Sequence, residues 1–390
     1  MQSQSIRPLR LTVLAGSMDG GGSERQTVSI LRHLDRARFT PDLWLVHRRG
    51  PLLAEIPADV PIHECPAASS SAGWNWPGRI RAQQIRALVD HLRSNQTQIV
   101  YDRTFHMTLL VAPAAQRLAI PRVSTIVSPP DADLVLSERR WRFVKRWVLA
   151  DAYRSAQSVL AVSEEVARSA IAYYRLPERL VQVLPSGIEI QRIRDAAEAN
   201  CDWPPGHRSD RPTVALIGRC TAEKGHEVVL EALALLPTGQ RPQVMMVGDG
   251  PLRAALQQQT RQLALDNDVL WLGYVRNPYP FIRKVTAIIA PSRYEGRSNV
   301  ILESLALGTT VLASPAAASG LNQLPNVTMV RPATAERWAE ALGTIGTQFP
   351  LDSSSRQAAI DLVCRQFDIA PMIEQLSQIL EVAAHRGRNA

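Results

Sequence analysis

The chain has 390 residues, 45% hydrophobic and 21% charged, which is too long for one ordinary core and too apolar for a disordered or fibrous protein. Its formal net charge is +8, and the excess belongs to the first half: residues 1–189 carry 24 basic and 17 acidic side chains, residues 190–390 carry 20 and 19. No apolar run reaches the roughly 18 residues of a membrane-spanning helix, and the four cysteines (Cys65, Cys201, Cys220, Cys364) lack zinc spacing, so a helical membrane protein and a cysteine-rich metal module are both excluded.

In chain order, strand-like runs at 9–15, 42–46, 98–101, 122–127, 158–162 and 181–184 alternate with helical patterns at 23–35, 79–93, 134–151 and 164–174. The pattern then restarts with strands at 213–217, 244–247, 269–272, 287–290, 310–313 and 328–330, again with helices between them. Strand–helix alternation repeated twice predicts an α/β protein of two doubly wound, Rossmann-like domains with parallel sheets. The seam falls at about 186–212, where Ser186-Gly187 closes the first series and a Pro-rich segment precedes the second. Ligands of such sheets favour the carboxyl ends of the strands. The N-terminal apolar run, only about six residues long, leads into the first strand and does not read as a secretory signal. A cytoplasmic protein is expected, with a peripheral place at the inner face of the cell membrane as a further expectation.

Four clusters follow strands and suit an anion. Gly20-Gly21-Gly22 lets backbone approach a ligand, and Ser23 with Gln26 fits a capping box opening a helix whose free N–H groups face an anion. Gly218-Arg219, with Lys224-Gly225 five residues on, offers a guanidinium fork and a point charge for phosphate oxygens. Lysine is scarce, three against 41 arginines. Gly248-Asp249-Gly250-Pro251 and Gly273-Tyr274-Val275 would line the same edge, although structural turns explain them almost as well. Glu295 to Glu303 runs from a loop into a helix: Ser298, Asn299 and Val300 stand at its start, and Glu303 lies roughly 6 Å deeper. Carboxylates accept hydroxyl hydrogens, so the order fits a sugar, a diphosphate and a ribose.

These motifs, with Pro185-Ser186-Gly187-Ile188, occur in an order that resembles retaining glycosyltransferases of the GT-B fold in family 4, over residues from about 10 to 330. The resemblance implies an N-terminal acceptor-side domain (1–188), a C-terminal nucleotide-sugar donor domain (189–370), the two facing across a cleft, and a last segment (371–390) whose helix returns to the first domain. It implies transfer of a hexosyl or N-acetylhexosaminyl group from a nucleotide-diphosphate sugar, UDP-linked for instance, to a hydroxyl of a glycan or lipid-linked acceptor of polysaccharide biosynthesis, with retention. Arg219 and Lys224 would neutralise the diphosphate, Glu295 would hold sugar hydroxyls and Glu303 the ribose. Gly218, Gly248, Gly250, Ser298, Asn299 and Val300 would meet the donor, with Gly21 and Gly22 approaching from the other domain and Tyr274, Val275 and Arg276 flanking the base. No metal or other cofactor is required. The sequence departs from relatives in lacking a histidine after 122–127, which turns attention to Asp102, Arg103 and His106 on the acceptor side. Arg297 and Ser298 also stand where relatives often carry an apolar residue and proline.

Rival readings include a GT-B-like sugar-nucleotide epimerase and a non-catalytic sugar-nucleotide-binding protein. Nucleic acid is not an expected partner: no recognition motif accompanies the basic charge. Two D-x-D strings, 131–133 and 266–268, read as caps or turns and not as metal ligands. The segment 136–150 sets Arg139, Arg142, Lys145 and Arg146 on one arc and Trp141, Phe143, Val144, Trp147 and Val148 opposite. It is open to two readings, a core-packed helix with a solvated basic face or a helix lying on anionic lipid.

Overall fold

The computed structural model describes residues 7–66, 78–137, 141–321, 323–348 and 353–388. The chain forms two compact units, Met1–Gly187 together with Ile369–Ala390, and Ile188–Asp368. The first contains β1 (Leu9–Ala15), α1 (Gly22–His33), β2 (Phe39–Leu45), β3 (Ile62–Glu64), α2 (Arg79–Ser94), β4 (Ile99–Arg103), α3 (Phe105–Arg117) and β5 (Arg122–Ile126). It continues with α4 (Pro130–Ser137), α5 (Arg142–Arg154), β6 (Ser158–Ala161), α6 (Glu164–Tyr174) and β7 (Val181–Val183). Its parallel sheet has the order β3-β2-β1-β4-β5-β6-β7. The second unit contains α7 (Ile190–Ala197), β8 (Thr213–Ile217), α8 (His226–Leu235), β9 (Gln243–Val247), α9 (Arg253–Gln262), β10 (Val269–Gly273), α10 (Tyr279–Lys284) and β11 (Ala287–Ala290). It ends with α11 (Asn299–Ala306), β12 (Thr310–Ala313), β13 (Val327–Met329), α12 (Ala335–Gly343), α13 (Ile345–Gln348) and α14 (Ser353–Phe367). Its parallel sheet runs β10-β9-β8-β11-β12-β13.

The strands are apolar on both faces because helices cover both, as all-parallel sheets require. In the first unit β1 and β2 send Leu11, Val13, Leu43 and Leu45 to one layer and Leu14 and Trp44 to the other. The last helix, α15 (Ile369–Arg388), belongs to this first unit: Ile373, Leu376 and Leu380 join the layer with Leu11 and Val13. Arg38 fixes it by bonds to Glu374 (2.6 Å) and Glu381 (2.8 Å).

The structure differs locally from the sequence reading at three places. Strand β2 begins at Phe39, three residues earlier than its pattern suggests, because Pro41 is tolerated: the N–H of Leu43 reaches Pro61 on the β3 side, so Pro41 turns its missing donor to that side, before β3 begins. The expected helix over 134–151 is two helices, with Trp141 as N-cap residue of α5. The capping box does not form, because α1 begins at Gly22 with Gly21 as N-cap; Ser23 lies inside the helix and Gln26 is buried.

Candidate active site

Both sheets reverse their winding direction once, and crevices outside the carboxyl ends of the strands open at such switch points. In the second unit the switch lies between β8, which is followed by β9 on one side, and β11 on the other. The loop after β8 carries Gly218, Arg219 and Lys224, and the loop after β11 carries Glu295. The structure brings the two loops together: Lys224 Nζ is bonded to Glu295 Oε1, and Ser292 Oγ donates to that same oxygen at 2.9 Å. Both members are shielded, with side chains 24% and 14% exposed. Arg219 is the opposite case, 60% exposed with only a 3.7 Å contact to Glu223. One cation is therefore fixed in advance and one is left to move.

Glycine permits the close packing of these loops. Gly248 holds φ +145, and a Cβ there would lie 1.9 Å from the Gly218 carbonyl oxygen; its N–H donates to Gly273 at 2.7 Å. Gly225 holds φ +67 against the Pro291 carbonyl, so the turn after Lys224 is pressed onto the end of β11. A Cβ on Gly250 would likewise meet the Cys220 backbone. Neighbouring backbone thus accounts for Gly248 and Gly250 without a ligand. His226, next along the chain, is buried at the start of α8, and burial with Lys224 nearby pushes its pKa down to about 4. It is neutral at pH 7 and adds no charge beside Lys224.

Ser298 is the buried N-cap residue of α11, and its side chain makes no capping bond. The N–H groups of Asn299, Val300 and Ile301 have no partner within the helix by geometry, so they present partial positive charge after Glu295. Glu303 is half-buried one turn on. At the end of β10, Tyr274 is 42% exposed, Arg276 is exposed and Val275 is half-buried against the core. Arg297 packs over the Phe367 ring at 5.0 Å, and burial lowers its pKa to about 10, which leaves it charged.

In the first unit the switch lies between β1 and β4. Gly21 and Gly22 open α1 after β1; Arg103 ends β4, and Thr104 and His106 follow it. Thr104 stands at φ +72, an outlier for a β-branched residue and a strain of about 1–3 kcal/mol. His106 is exposed on the first turn of α3, against the Phe105 ring at 3.9 Å. Arg103 is buried, donating to Tyr101 Oη at 3.0 Å. Asp102 does not match the acceptor-side expectation. It has no exposed surface and accepts from Ser124 and Thr108, each at 2.6 Å, which makes it a framework group.

The basic helix reads differently in space. Arg139 lies outside the described residues. On α5 the buried residues are Leu149, Ala150, Ala152 and Tyr153, whereas Trp141, Phe143, Val144 and Trp147 are 60%, 64%, 55% and 76% exposed. The core-packed reading therefore fails for its first turns. Arg146 is spent on the protein, donating to the Tyr173 carbonyl at 2.7 Å, and Arg142 lies over Phe143. Lys145 is half-buried. Of the D-x-D strings, Asp131 and Asp133 stand in the first turn of α4 and accept from Ser169 and Ser128, and Asp268 is bonded to Arg211 and Arg241.

The fold and this pair of strand-end sites define a class, the two-Rossmann-domain GT-B architecture. Residues 20–192 match the family model described as Glycosyltransferase Family 4, and residues 211–347 match that of Glycosyl transferases group 1. It is 24% identical over 346 residues to EpsF of Bacillus subtilis (strain 168), a protein bearing the name of a glycosyltransferase; 85% of this chain and 86% of EpsF are covered. It is 25% identical over 171 residues to N-acetylgalactosamine-N,N'-diacetylbacillosaminyl-diphospho-undecaprenol 4-alpha-N-acetylgalactosaminyltransferase of Campylobacter jejuni, covering 44% of this chain and 45% of that protein. Among solved structures it superposes on HepE from Anabaena in complex with UDP and glucose with TM-score 0.76 at 18% identity, covering 96% of this chain and 100% of HepE. WaaG, a glycosyltransferase involved in lipopolysaccharide biosynthesis, gives 0.74 at 16% identity over 95% and 99% of the two chains.

Proposed function

We propose that the chain is a retaining glycosyltransferase that moves a hexosyl or N-acetylhexosaminyl group from a UDP-linked sugar to a hydroxyl of a glycan or lipid-linked acceptor. The observation that carries this reading is the Lys224–Glu295 pair at the switch point of the second unit, between Arg219 and the first turn of α11. The donor's diphosphate takes Lys224 and Arg219 as counter-ions, and the free N–H groups of Asn299 and Val300 add hydrogen bonds. Glu295 then exchanges part of its bond with Lys224 for sugar hydroxyls, and Glu303 receives the ribose. When the C1–O bond breaks, its electron pair stays on the leaving phosphate, where the two cations stabilise the developing charge. The acceptor oxygen bonds C1 from the same face, and its proton passes to that phosphate. Every step uses protein charge, Lys224 fixed in advance and Arg219 ordered by the donor, and none needs a metal.

The test is a panel of UDP- and GDP-sugars read by thermal shift and by nucleotide release. One UDP-sugar is expected to raise the melting temperature and to release UDP slowly without acceptor. Formation of an epimerised donor with no nucleotide release would select the epimerase reading, and binding with no turnover the non-catalytic one.

The exposed face of α5 supports a second element of this reading, attachment to an anionic membrane surface. Trp141, Phe143 and Trp147 present aromatic area, while Arg142 and Lys145 supply charge beside it. Sedimentation with phosphatidylglycerol vesicles is expected to carry the protein down, and Trp147→Ser should lower partitioning about tenfold. Equal partitioning of the variant would remove α5 as a membrane-attachment face, and equal binding to phosphatidylcholine alone would remove the anionic requirement.

A further inference from the structure

On the first unit, away from the residues assigned to sugar transfer, β2, β3 and α2 bring three ligand-type side chains to one point. Asp42 comes from β2, His63 from the edge strand β3 and His91 from α2. Register explains the meeting: His63 is paired with Trp44, which shares a face with Asp42, and α2 carries His91 to that face. One nitrogen or oxygen from each of the three lies within 4.8 Å of the others. His91 Nε2 is 2.8 Å from Asp42 Oδ2, and His63 Nε2 is 3.9 Å from the same oxygen, with the two imidazole rings 4.4 Å apart.

The surroundings are those of a held ligand. Asp42 is buried, and its other oxygen is fixed by Thr12 Oγ1 and Asn95 Nδ2, both at 2.8 Å. Thr12 is in turn 2.7 Å from Thr97 Oγ1. One carboxylate oxygen is thus tied by a second layer of polar groups while the other is offered to two imidazole nitrogens, which is how proteins orient metal-binding carboxylates. His63 makes no hydrogen bond with the described residues, and its side chain is 41% exposed, which leaves a path for an ion.

We propose that Asp42, His63 and His91 form a binding site for a divalent transition metal, zinc in the first instance, that clasps edge strand β3 to α2. Two imidazoles and one carboxylate suit zinc with water completing the shell, whereas magnesium and calcium prefer oxygen throughout. Ligand atoms around zinc stand about 3.3 Å apart, so a swing of about 1 Å by the half-exposed His63 ring closes the site. The edge strand is only three residues long, and the clasp would rigidify this border of the sheet. The metal is structural and leaves the sugar-transfer chemistry metal-free.

The experiment uses the full chain without an affinity tag, stripped with EDTA, dialysed and titrated with Zn²⁺, Co²⁺ and Mg²⁺. One zinc per chain is expected, with a melting temperature that rises with zinc and not with magnesium, and Co²⁺ is expected to develop visible d–d absorption. His63→Ala, which removes only an exposed-edge ligand, should keep the zinc-free melting temperature, lose the cobalt absorption and bind zinc at least tenfold more weakly. Asn95→Ala, which frees the far carboxylate oxygen, should weaken zinc about 10–100-fold. Absence of stoichiometric zinc in the wild-type chain, or unchanged zinc affinity in His63→Ala, would overturn the proposal.

Discussion

Lys224→Ala is expected to lower turnover of the nucleotide-sugar by about a hundredfold or more, with Arg219→Ala close behind. The two cations differ in kind, and so should their variants. Lys224 is held against Glu295 before any donor arrives, so its charge is in place when the leaving phosphate becomes negative, and no reorganisation is needed at that moment. Lys224→Ala should therefore act mainly on kcat. Arg219 is exposed and weakly tethered, and its ordering on the diphosphate is completed by binding, so Arg219→Ala should raise KM as well. Lys224→Arg is not expected to rescue fully, because a planar fork cannot take the place of an ammonium held on Glu295 by a stem packed beside Gly218. Loss of Lys224 also leaves the shielded Glu295 carboxylate with only the Ser292 hydroxyl, so melting curves must accompany the kinetics. Near-normal rates in both alanine variants would refute the assigned site.

The sequence made the sheet architecture readable because each parallel strand is a short apolar run ended by a loop and followed by a helix. That order alone sends every strand-end loop to the carboxyl edge, which is why Gly218, Gly248, Tyr274 and Glu295 could be grouped without a structure. Pair geometry was not readable. Lys224 and Glu295 are separated by 71 residues and meet only because β8 and β11 are neighbours. Asp42, His63 and His91 escaped for a similar reason: β3 is too short to show a pattern, and its histidine looks isolated until β3 is paired with β2. Periodicity on α5 was also informative only in part. It separated basic from aromatic residues, but amphipathic spacing does not say which side meets protein, and here Leu149 and Tyr153 do while Trp147 does not. At Ser23 the cap signature was outcompeted by Gly21 and Gly22, which allow α1 to begin two residues earlier than a Ser23 cap would.

Asp102→Ala is expected to destabilise the first unit by about 3–5 kcal/mol, because it strands a buried guanidinium. Arg122 is 2% exposed at its side chain and lies 3.5 Å from Asp102 Oδ1; its other contacts, to Ser124, Ser155 and the Ala152 carbonyl, are all neutral. Burial pushes the Asp102 pKa up, and Arg122, Ser124 and Thr108 oppose that shift. The network is thus balanced by its members and not by water. In a unit of this size the loss corresponds to a fall of about 10 °C in its melting transition. Asp102→Asn keeps one acceptor oxygen for one of the two hydroxyls, its amide can donate to the other, and it should lose less. Pairing Asp102→Ala with Arg122→Met should recover part of the loss, since the stranded charge is gone and an apolar side chain fills the space. The comparison also separates framework from acceptor recognition. A framework role predicts lowered stability in Asp102→Ala with little change in acceptor KM for the protein that remains folded. A variant that melts like the parent chain while its acceptor KM rises would return Asp102 to the substrate-binding groups beside His106.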